Sequence, residues 1–102
     1  MKDKFYILRG KRAVPITLHE WAASPFKHRI IHQTTLGGVL VSTVFLGLDH
    51  QLGEGPPLLF ETMVFNGPGH EYQERYSTWD EAEAGHNEVV KILHAKQWRM
   101  VE

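Results

Sequence analysis

The first two thirds of the chain carry short apolar runs broken by turn residues, and the last third changes to a helical spacing. Phe5-Tyr6-Ile7-Leu8 predicts a strand, Arg9 to Arg12 a turn, and Ala13-Val14-Pro15-Ile16 a returning strand. Pro15 has no N–H to give to a ladder, which puts that strand at an edge. Thr17 followed by Glu20 fits a capping box, opening a short helix that contains Trp21 and that Pro25 discourages from continuing. Arg29 to Thr35 reads as a strand, Gly37-Gly38 as a hairpin turn, and Val39 to Leu48 as a strand rich in β-branched residues. Asp49 to Pro57 is a glycine- and proline-rich loop, and Leu58 to Phe65 is a strand closed by Asn66-Gly67-Pro68-Gly69. Ser77 or Thr78 then caps a long helix, with Glu81 completing the box for Thr78. Within it Trp79, Ala82, His86, Val89 and Leu93 form one buried stripe, and the end falls near Gln97.

These elements predict an α+β fold over residues 1–102. It has an antiparallel sheet of about five strands, a long C-terminal helix on one face, and a short helix between strands 2 and 3. Symmetric turns place Thr34 opposite Val41, His32 opposite Thr43, Thr43 opposite Met63 and Phe45 opposite Glu61. The helix then sits over Ile31, Val44, Leu46, Leu48, Leu58, Phe60 and Val64, with Ser42 and Thr62 among them. The second face carries Ile30, His32, Thr43, Phe45, Glu61, Met63 and Phe65, an apolar surface holding an imidazole, a hydroxyl and a carboxylate. A slip of one residue reverses every face. One helix cannot cover both faces, so the segment with Trp21 or a second subunit is expected over the other, and the chain is expected to form a homo-oligomer.

Composition narrows the classes. With Lys+Arg 11 against Asp+Glu 12, the net charge of -1 argues against a binder of long nucleic acid. The chain has Cys 0, which removes disulfides, thiolate metal sites and thiol nucleophiles. No apolar run reaches a membrane span, and Met1-Lys2-Asp3-Lys4 does not open a signal peptide, so the expected compartment is the cytoplasm. His28 and His32 share the offset of a metal pair but on a strand, and neither a metal, another cofactor nor a Ser/His/Asp triad is expected.

The stretch from Val41 to His50, V-S-T-V-F-L-G-L-D-H, is followed by Gly55-Pro56-Pro57 and by Glu61-Thr62-Met63-Val64-Phe65. Further on stand Arg75, Tyr76, Thr78, Trp79, Glu81, Ala82, Gly85 and His86 in an R-Y-x-T-W-x-E-A-x-x-G-H pattern. Together with the N-terminal K-F-Y-I-L, these motifs resemble a family of small conserved bacteriophage and prophage proteins over most of the chain. The resemblance implies a phage product in the cytoplasm of an infected bacterium. Phage proteins of this size are often antagonists of host defence, some of them sequestering a nucleotide-derived signal between subunits, which is analogy at the level of class.

The candidate residues follow from that expectation, each with a structural alternative. Asp49 and His50 either grip a ribose or base edge, or form an Asx turn that leaves the strand. Glu61 either recognises a ligand, together with His32, Thr43 and Met63, or forms an internal ion pair with Arg75. Arg75 and Tyr76 with the helix N-terminus suit a phosphate, although Asp80 and Glu81 already occupy that niche. Phe45, Tyr76 and Trp79 either stack on a base or pack in the core. His86 is either a ligand contact or a core histidine, and Gly85 beside it costs a helix roughly 1 kcal/mol unless something approaches closely. Three functions result: a non-enzymatic protein sequestering a nucleotide-type ligand, an adaptor docking on a protein by its apolar face, or a small hydrolase with Glu61 or His50 as base.

Overall fold

The computed structural model describes residues 3–25, 29–67 and 72–101, with side chains as far as Lys96. The chain runs β1 (Phe5–Arg9), β2 (Arg12–Ile16), α1 (Leu18–Ala23), β3 (Arg29–Leu36), β4 (Val39–Phe45), β5 (Phe60–Phe65), β6 (Tyr72–Tyr76) and α2 (Trp79–Val101). His28, Pro68 and Gly69 lie outside the described residues. The α+β class, the antiparallel pairing, the short helix after β2 and the long C-terminal helix are as expected. Two sheets stand in place of one: β1–β2 alone, and four strands in the order β3-β4-β5-β6. Strand β6, over residues to which the sequence assigns no element, supplies the extra edge, and α2 continues past Gln97 to Val101.

Local chemistry explains the joints. Gly37 and Gly38 have φ of 52° and 87°, the left-handed pair that a two-residue hairpin needs. Thr17 and Glu20 exchange bonds of 3.0 and 3.1 Å at the start of α1. Thr78 is the cap of α2: its hydroxyl accepts from Glu81 N at 3.1 Å, and Glu81 Oε1 accepts from Thr78 N at 3.1 Å.

Registers decide the faces. Thr34 pairs with Val41 and His32 with Thr43, as symmetric closure predicts. The β4–β5 pairing differs by one residue: Thr43 faces Thr62, Val44 faces Glu61 and Phe45 faces Phe60. The cause lies in the loop, where Leu46 N donates to Leu59 O and Asp49 Oδ1 accepts from Leu58 N at 3.0 Å. The predicted face assignment of β4 is therefore reversed. Val39, Val41 and Val64 pack under Val89 and Leu93 of α2, and Phe45 and Phe60 pack under Ala82. A bulge between Ile30 and His32 turns Ile31 onto that second cluster.

The N-terminal hairpin docks at the start of α2. Tyr6, Leu8 and Ala13 pack on the Phe45–Phe60 cluster, and Lys11 Nζ lies 5.8 Å from the Trp79 ring centroid. The Trp21 ring lies tilted against Phe5 of the hairpin, with centroids 5.2 Å apart. Among the described residues α2 packs on one face of the four-stranded sheet, and Ile30 and Phe65 on the other face are exposed. Among the described residues no helix is long and apolar enough to cross a membrane.

Candidate functional site

The predicted site residues fall into four separate places. The first is a buried polar chain between α2 and the sheet. His86 projects from the α2 stripe with Nδ1 2.7 Å from Thr43 Oγ1 and Nε2 2.8 Å from Thr34 Oγ1, and Thr43 Oγ1 in turn meets Thr62 Oγ1. Hydroxyls donate and accept, so either neutral tautomer satisfies the whole chain. The His32 ring stands edge-on to His86 at 4.3 Å. Burial, then the neighbouring His32, holds the His86 imidazole below its ordinary 6.5. A hydroxyl beside an imidazole is the geometry of an activated nucleophile. Here Thr43 and His86 are at most 1 % exposed, which closes the pair to any substrate and makes it structural.

The second place is the open sheet face. Glu61 accepts from Arg75 Nε at 2.9 Å and from Gln73 Nε2 at 2.5 Å. These partners stand on β6, with Arg75 directly opposite Glu61 in register. The structural alternative for Glu61 holds, and Met63 flanks it without His32, Thr43 or Phe45, which lie on the helix side. Arg75 and Tyr76 alternate along β6 and so point to opposite faces, which dissolves the predicted phosphate corner at the α2 N-terminus.

The third place is the β4–β5 loop. Asp49 Oδ1 accepts from Gln51 N at 2.7 Å as well as from Leu58 N, so the carboxylate closes an Asx turn and staples the loop. His50 N donates to Leu58 O. Of the predicted aromatics, Phe45 is core, its ring 5.3 Å from Phe60, and the half-buried Trp79 meets Phe60 edge-on at 6.4 Å.

The fourth place is a cleft of about 520 Å³ between α2 and β6. Its floor is Val64, Val89 and Leu93, and its walls include Tyr72, Glu74 and Tyr76 from the strand and Gly85, Glu88, Ile92 and Lys96 from the helix. Tyr76 alone belongs to the predicted set. Its ring lies against Gly85, where a Cβ would collide with the ring at less than 3.0 Å, so the helix gives up a side chain to admit the tyrosine. The Tyr76 hydroxyl is buried, and among the described residues it has no hydrogen-bond partner of ordinary geometry. Burial, then Tyr76 and Glu74, raises the Tyr72 phenol above its usual 10.0. Sequence reading missed this cleft because it assigned no element to residues 72–76. The alternation of Tyr72, Glu74 and Tyr76 against Gln73 and Arg75 was the available signal, and the costly Gly85 was the second.

The fold and cleft thus define a two-layer α+β protein with a groove beside a sheet edge. Compared with known proteins, the chain matches no protein-family model, no curated protein and no solved structure.

Proposed function

We propose that the chain is a phage-encoded binding protein of the infected cell's cytoplasm, which antagonises a host defence by holding a partner in the α2–β6 cleft and making or breaking no bond. The observation that carries this is the cleft itself: an apolar floor, two carboxylates on facing walls and two tyrosine rings on the strand wall. Of the two candidate bases, Glu61 is held by Arg75 and Gln73 outside the cleft, which speaks against hydrolysis through it. The phage setting rests on the sequence resemblance.

A nucleotide-derived signal in the same cleft is the second reading. Lys96 offers a cation to a phosphate, and Tyr72 and Tyr76 offer ring faces to a base. Glu74 and Glu88 suit ribose hydroxyls but repel phosphates. The test is restoration of plaques in a bacterium whose defence blocks a phage. The wild-type chain is expected to restore them, and Ile92→Glu, on the exposed cleft wall, to abolish the effect with an unchanged thermal melt. Full restoration by Ile92→Glu and by Tyr72→Ala would move the function out of the cleft. A melt raised by an added nucleotide, released intact on denaturation, selects the second reading.

Self-association belongs to the same proposal. Ile30 and Phe65 are exposed on the sheet face away from α2. Sedimentation is expected to show a concentration-dependent dimer that Phe65→Glu dissociates; a monomer at every concentration refutes it.

A further inference from the structure

Strand β6 ends the four-stranded sheet, and among the described residues no strand pairs with its outer side. Its alternate backbone N–H and C=O groups therefore face outward beside the mouth of the cleft. The side chains that β6 sends into the cleft are Tyr72, Glu74 and Tyr76, spaced two residues apart. A carboxylate thus stands between two aromatic rings. Across from the strand, Glu88 supplies a second carboxylate and Val89, Ile92 and Leu93 supply apolar wall.

We propose that the occupant of the cleft is an extended segment of a partner protein, which adds to the outer edge of β6 as a fifth strand and lays alternate apolar, basic and apolar side chains into the cleft. The inference rests on the cleft being the binding seat and names what fills it. Side chains opposite one another across a strand pair share a face, so the position opposite Glu74 calls for Lys or Arg. That cation also comes within the field of Glu88. The flanking positions, opposite Tyr72 and Tyr76, meet rings and call for apolar residues. Backbone bonds along β6 provide affinity, and the alternation provides selection. A second copy suits the edge poorly, because pairing β6 with β6 about Glu74 sets carboxylate against carboxylate.

The probe is a synthetic peptide, capped at both ends, in which threonine alternates with leucine, lysine and leucine. Titrated into the full chain, it is expected to bind and to slow hydrogen exchange of the outward β6 amides. Exchanging its lysine for glutamate is expected to weaken binding at least about tenfold, as is the double change Glu74→Gln with Glu88→Gln. Both carboxylates are exposed, so that variant folds. N-methylation of the threonine amides is expected to abolish the exchange protection. Binding indifferent to charge or to N-methylation overturns the strand. So does the absence of any binding; if Ile92→Glu still abolishes plaque restoration, the cleft reading survives that failure, and if it does not, both fall. Protection of β6 amides that grows with protein concentration in the absence of peptide gives the edge to a second copy and overturns the proposal.

Discussion

Replacing His86 by alanine is expected to cost about 3–4 kcal/mol in denaturant unfolding near pH 8. The side chain is 1 % exposed at the centre of the helix–sheet interface. Its removal leaves a cavity and strands the Thr34 and Thr43 hydroxyls, which are 2.8 and 2.7 Å from its ring nitrogens. A domain of this size has only about 5–15 kcal/mol of stability, so the variant approaches the limit of folding. The same residue sets a pH dependence. Its folded pKa is depressed from 6.5, so the unfolded chain takes up the proton first as pH falls. The contribution is complete above pH 6.5, declines as pH drops below it, and levels off once the folded pKa is passed. His32 is the titratable group facing it. Unfolding curves at pH 8 and pH 5 are expected to separate for the wild type and to draw together in His86→Ala. A variant within about 1 kcal/mol of wild type, or one with an unchanged pH slope, would show that the network is not what joins α2 to the sheet.

The second large effect is a reversal of sign at Gly85. In the wild-type background Gly85→Ala is expected to destabilise by about 1–3 kcal/mol, because the new methyl group occupies the place of the Tyr76 ring. With Tyr76→Ala already present, the same change is expected to stabilise by about 1 kcal/mol, the ordinary preference of a helix for alanine over glycine. The coupling across the double-mutant cycle is therefore roughly 2–4 kcal/mol, far above the few tenths seen between independent sites. Thermal or urea unfolding of the four proteins measures it directly. Additive effects would mean that the tyrosine moves aside freely and does not shape the cleft wall.

The contrast between α2 and β6 shows where sequence reasoning succeeds. The α2 stripe repeats over five positions, and Thr78 with Glu81 marks its start by a side-chain bond that depends on neighbours three residues apart. Such signals are local, so they can be read before folding. Strand β6 is five residues long, with one mostly exposed face and an ion pair on the other, and its pattern is too short and too polar to stand out. Glu61 and Arg75 were paired as one alternative without knowledge of the strand, because a mid-strand carboxylate among apolar neighbours requires a donor. Their assignment to the face away from the helix needed the register.

That register marks the boundary between the two kinds of knowledge. Element type, helix caps, the Gly37-Gly38 turn and the need to satisfy Glu61 and His86 follow from the amino acids, since each is set by backbone preference or by the cost of burying a polar group within a few residues. Which face of β4 meets the helix depends on the Asp49 carboxylate bonding Leu58 N, nine residues away, and one residue of slip exchanges the two sides. The cleft depends on the same long-range fit: it exists because β6 returns beside β5 and Tyr76 lies against Gly85, a pairing that the strand alternation and the helix glycine signal separately but do not join.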